Sequence, residues 1–168
     1  MPERQDFIQR LLTELRQVLA QVTKFREGGS HDSALATLLQ AQERLFVRPA
    51  PEFMTLPVEK QVRLLVIGET DAAAREKCIV YATFLTEMGH TYRAKGQAPT
   101  AGAAYQLALR ILLEAARQIA SPDSPDLRTG VAAVRQLVPA DQLSPEMAAL
   151  LADFDAATPP STSTPAPS

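Results

Sequence analysis

The sequence predicts an all-α protein: a right-handed stack of antiparallel helical hairpins, an α-α superhelix, with a C-terminal helix pair as its cap. Three observations predict it. Apolar residues recur at steps of three and four over long stretches, which marks one face of a helix. Gly and Pro punctuate those stretches at the points where hairpin turns are needed. Aromatic residues make up only 5%, with no Trp, while Ala and Leu abound, a balance suited to helices packed through small aliphatic side chains.

The first helix runs from Gln5 to Glu27. Its apolar stripe comprises Phe7, Ile8, Leu11, Leu12, Leu15, Val18, Leu19, Val22 and Phe25. Leu12 and Leu19 make the stripe wider than a coiled-coil seam, so core packing is expected. Gly28-Gly29 ends this helix, and Ser30 and Asp32 open the next, Asp32 to Val47, with Ala34, Leu35, Leu38, Leu39, Ala41, Leu45 and Phe46 inward. So short a connection forces the two helices antiparallel. Pro49 and Pro51 are expected to end this hairpin.

A short helix follows from Pro57 to Ile67, with Pro57 at its first position and Val58, Val62, Leu65 and Val66 apolar. Beyond Gly68, Thr70-Asp71 opens a long helix to Lys95 through Ile79, Ala82, Leu85, Met88 and Tyr92, closed by Gly96. Its antiparallel mate runs from Thr100 to Ile119, with Ala104, Leu107, Ala108, Ile111, Leu112 and Ala115 buried. After the break at 121–125, Ser124-Pro125 and Ser144-Pro145 each start a further helix. The reading is one domain over 1–157. The remainder, TPPSTSTPAPS, lacks the apolar surface needed to offset ordering entropy and is expected to be disordered.

Composition narrows the function classes. A chain of 168 residues buries roughly two thirds of its unfolded surface and needs neither disulfide nor metal for stability. A net charge of −2 gives no electrostatic case for nucleic acid or an anionic membrane. The longest apolar run, Leu64 to Ile67, is far below the ~20 residues of a membrane helix. The N-terminus is charged where a signal peptide needs an apolar segment. A cytoplasmic protein is expected.

Overlaying the two hairpins exposes an internal repeat. In the second, Leu85, Met88, Gly89, Tyr92, Gly96, Ala101, Tyr105 and Ala108 fall at offsets 0, 3, 4, 7, 11, 16, 20 and 23. The first places Val18, Gln21, Val22, Phe25, Gly29, Ala34, Leu38 and Ala41 at the same offsets. Gly89 and Ala101 are expected to let two helices touch, and Tyr92 and Tyr105 to fill the space between helix pairs. This pattern resembles the tetratricopeptide repeat. The layout is also similar to a family of small uncharacterised bacterial proteins with hairpins of this kind. The shared features are the N-terminal FIQRLLTELRQVLAQV helix and Glu76-Lys77-Cys78 ahead of the repeat.

The resemblance implies a protein or peptide ligand on the face made by the first helix of each pair. By offset that face carries Arg16, Leu19, Ala20, Thr23 and Arg26 from one hairpin and Thr83, Thr86, Glu87, His90 and Arg93 from the other, and the candidate ligand residues among them are Arg16, Thr23, Arg26, Thr86, His90 and Arg93. The three arginines suit a carboxylate or phosphate through forked hydrogen bonds. The Lys/Asn set of the family's carboxylate clamp is absent. The reading is a non-catalytic interaction or scaffolding module. One alternative is a homodimer through the first helix, which is longer than a repeat helix needs. Another is a helical sensor with a small anion or peptide held between the hairpins.

No cofactor or metal is called for. His31 sits in a turn beside Asp32, and His90 has no nucleophile or ligand set at catalytic spacing. Cys78, the single cysteine, lies on an apolar face with Ile79 and Ala82 and reads as a small core residue.

Overall fold

A computed structural model describes residues 2–46, 50–119 and 124–157. The described residues form eight α-helices, a short 3₁₀ turn and no strand. The helices are α1 (Pro2–Glu27), α2 (His31–Phe46), α3 (Ala50–Met54), α4 (Val58–Val66), α5 (Asp71–Ala94), α6 (Ala98–Gln118), α7 (Pro125–Arg135) and α8 (Pro145–Ala157). The expected disorder of the tail and the break at 121–123 fall outside the described residues, as do Val47 and Pro49.

Both predicted hairpins form, and both turn the same way. At the end of α5 the chain reverses through Gly96 at φ 81°, a backbone conformation that costs glycine little. The Gln97 N–H donates to the Tyr92 carbonyl at 2.9 Å and the Gly96 N–H to that of Arg93 at 3.0 Å. These two bonds are the Schellman pattern, which satisfies carbonyls the helix end would otherwise leave unpaired. The α1–α2 turn repeats it at Gly29, with Ser30 donating to Phe25 at 2.8 Å. At the start of α5 the Thr70 hydroxyl accepts from the Ala73 N–H at 3.2 Å, a side-chain cap.

The α5–α6 hairpin is the centre. The α1–α2 hairpin packs against α5, while α4 and α7 each touch both α5 and α6, and α8 covers α6. This surround explains the middle of α6, where residues 108, 109 and 111–115 are all buried. A one-sided stripe was expected there. Ala104 and Leu107 are instead half-buried, while Leu109, Leu113 and Glu114 join the core, because α6 meets neighbours on several sides.

Two further corrections follow from local geometry. Pro51 does not end a helix; it sits in the first turn of α3, where its missing N–H has no intrahelical partner to lose. That short helix delivers Phe53, 3% exposed, into edge-on contact with Tyr81 at 5.3 Å between ring centroids. Tyr105 does not fill the space between helix pairs. It lies inside its own hairpin against Gly89, where a β-carbon would come within 2.4 Å of its ring.

Gln61 is the core's main polar tie. Its side-chain amide donates to the Leu56 carbonyl at 2.7 Å, and its oxygen accepts from the Tyr81 hydroxyl at 2.9 Å. With these bonds made, a polar group can be buried beside α5 without the cost of an unmet hydrogen bond. No helix of the described residues is long and apolar enough to cross a membrane.

Candidate functional site

The residues expected to face a ligand are partly gathered. On α5, Glu87, His90 and Arg93 follow one another at steps of three, which keeps them on one side of the helix. Opposite them stand Arg26, at the last turn of α1, and Tyr105 on α6. Arg26 Nη1 lies 2.8 Å from Glu87 Oε2, joining the first hairpin to the second. His90 Nδ1 lies 2.8 Å from the Tyr105 hydroxyl, with the donor set by the imidazole tautomer. The Arg93 guanidinium stacks over the Tyr105 ring, 4.9 Å from its centroid, within cation–π range.

Three of the six expected residues, Arg26, His90 and Arg93, therefore belong to one cluster. Thr86 does not present its hydroxyl to it, because that group donates to the Ala82 carbonyl one turn back at 2.8 Å. Thr23 is half-buried on α1. Arg16 is exposed and stands ten residues, roughly 15 Å of helix axis, from Arg26. Sequence spacing placed these side chains on one face, but it could not show that Glu87 and Tyr105 hold them. Both were visible at their offsets; what was missing was the helix approach that brings them together.

The electrostatics of the cluster follow from its half-buried setting. Burial pushes the His90 pKa below its ordinary value, which Glu87 opposes and Arg26 and Arg93 reinforce. Burial likewise raises the Tyr105 phenol, with Arg93 acting against it. A neutral imidazole bonded to a protonated phenol is a positioned donor–acceptor pair. Arg93 adds an exposed cation held over the ring, and a guanidinium suits a carboxylate. Among the described residues no group of three or more His, Cys, Asp or Glu side chains is arranged to hold a metal ion.

A second feature lies at the other end of α1. α1 has 26 residues and α2 has 16, so the hairpin leaves about ten residues of α1, roughly 15 Å, beyond the end of α2. Beside this overhang opens a cleft of about 440 Å³, walled by Phe7, Phe46, Phe53, Leu64 and Lys77, with Glu3 among its lining residues. Lys77 is ion-paired with Glu69 and sits 5.5 Å from the Phe7 ring centroid. On the opposite side of the overhang a cleft of about 600 Å³ is lined by Ile8, Gln9, Thr70, Glu76 and Asp126. Burial raises the Glu76 carboxyl pKa there, and the Asp126 charge adds to the effect.

Cys78 is fully buried, and burial pushes its thiol pKa up to about 12. Comparison with protein-family models, with curated proteins and with solved structures gave no match to this chain.

Proposed function

We propose that the chain is a non-catalytic protein-interaction or scaffolding module of the cytoplasm, built from tetratricopeptide-like hairpins. The observation that carries this reading is the contact of Gly89 with the Tyr105 ring, at the two offsets where such a repeat needs a small residue and an aromatic one. The order of packing supports it as well. Both helices of the first hairpin lean on α5, the first helix of the second, as successive repeats do.

In this reading the ligand is an extended peptide that crosses the ends of α1 and α5 and offers a carboxylate to Arg93. Arg26 is committed to Glu87, so an incoming acid meets Arg93 first and competes for Arg26 second. The test is a cross-linked pull-down from native lysate with the full chain and with Arg93→Glu, read by mass spectrometry. A reproducible partner kept by the wild type and lost by the variant supports the reading. The absence of any reproducible partner, or one indifferent to Arg93, contradicts it.

A further inference from the structure

We propose that the cleft between the first turns of α1, α5 and α7 binds an alkylammonium group, its charged head held by Glu76, Asp126 and Ser124 and its carbon stem by Ile8 and Ala72. The cleft is about 600 Å³ and takes its walls from all three helix starts. Two polar side chains in it are unmet by the chain itself. Ser124, 8% exposed, is the N-cap residue of α7, yet its hydroxyl makes no capping bond and has no other hydrogen-bond partner among the described residues. The little surface it keeps opens on the cleft. Glu76 is half-buried on α5, and its carboxyl has neither a hydrogen bond nor an ion pair among the described residues. Polar groups drawn out of water cost free energy until a partner meets them.

The charge balance selects a cation. Glu76 and Asp126 both line the cleft, and a cation placed between them favours both in their ionised forms. Arg75 is the one cation among the lining residues, and its pull on Glu76 is smaller than the opposing effects of burial and of Asp126. The partial positive charges at the starts of α5 and α7 do not call for an anion, because Asp71 and Asp126 stand in those first turns. The Gln5 and Gln9 amides and the Thr70 hydroxyl, also in the lining, each offer an oxygen to an N–H donor. A bare metal ion fits less well: among the described residues no three His, Cys, Asp or Glu side chains converge. Ile8, Ala72 and Ala73 add apolar wall that a metal ion leaves in water and an alkyl stem covers.

The test is an amide NMR titration of the full chain with n-pentylamine and with Nα-acetyl-lysine amide, a free amine and a lysine side chain that carry the same head and stem. The expected result is saturable shifts in the first turns of α5 and α7, with a Kd of about 1 mM or tighter for at least one of them. The tighter of the two assigns the source of the group. Pentanol, with the stem but no charge, should not saturate. Glu76→Gln and Ser124→Ala should each weaken binding about 10-fold or more, the scale of a lost hydrogen bond to a charged group. Both variants should fold, since Gln keeps the shape of Glu and the Ser124 side chain caps nothing. No saturable shift with either amine overturns the proposal. So does pentanol that matches pentylamine, or an affinity unchanged in Glu76→Gln or in Ser124→Ala. The peptide reading is separate: Arg93→Glu lies at the far end of α1 and leaves this titration unchanged.

Discussion

The ring of Tyr105 occupies the space that a side chain at residue 89 would need: a β-carbon there would lie 2.4 Å from the ring edge. Gly89 is thus the point at which α5 and α6 approach, and Tyr105, 2% exposed, is the side chain that fills the approach. Gly89→Ala must push the ring or spread the helices. The expected loss is about 1–3 kcal/mol, the range of overpacked cores, read as a lower urea midpoint. Tyr105→Leu in the same chain should recover part of it, and an additive pair of effects would contradict the interlock.

Gln61 makes a second, independent prediction. Gln61→Leu keeps the volume but strands the Leu56 carbonyl and the Tyr81 hydroxyl, at about 1–3 kcal/mol for each unmet group. Adding Tyr81→Phe removes one of the stranded groups, so the double variant should be more stable than the Gln61→Leu single. Urea unfolding of the three variants checks the order.

His90 gives a pH dependence of definite sign. Folding lowers its pKa below the ordinary 6.5, so in the window beneath that value the unfolded chain binds the extra proton. The stability due to neutral His90 is complete above about 6.5 and is lost as the pH falls through the folded pKa. Groups around it in the cluster are Glu87, Arg93, Arg26 and Tyr105. The stability difference between wild type and His90→Gln should therefore shrink between pH 7.5 and about 5. A difference that does not change with pH contradicts this.

Cys78 should be silent in the folded protein. With the thiol fully buried and its pKa at about 12, thiolate is scarce and access is closed. A thiol reagent at neutral pH should label it only after urea unfolding, and stoichiometric labelling of the native chain would contradict the burial.

What the sequence made legible was local, and what it left out was crossing. Periodicity and the Gly and Pro positions located both hairpins, because turn chemistry and amphipathic spacing are read from neighbours in the chain. α3 was missed, since five residues carry too little periodicity and Pro51 reads as a stop until one sees it in a first turn. The burial of Gln61 and Glu114 was missed for another reason. Each depends on partners that arrive from elsewhere or lie on the same helix, as Arg117 does 2.7 Å from Glu114. For the candidate site, offset arithmetic brought Arg26, His90 and Arg93 to one region. It could not show that Arg26 is held by Glu87 or that the Arg93 guanidinium sits over the Tyr105 ring, because both contacts span separate helices. The overhang at Phe7 was half visible in the unequal helix lengths, and the cleft beside it needed α3 and α4 in place.

The α5–α6 hairpin, locked at Gly89 and Tyr105, is the element on which the other helices rest. Native-state amide hydrogen exchange tests it most directly, because it ranks segments by the free energy needed to open them. Amides in the middle of α5 and α6 are expected to exchange last, near the global unfolding limit, with the first turns of α1 exchanging early and Gly89→Ala lowering protection in both central helices together. Amides of α1 or α7 that outlast α5 and α6, or a Gly89→Ala effect confined to α5, would contradict it.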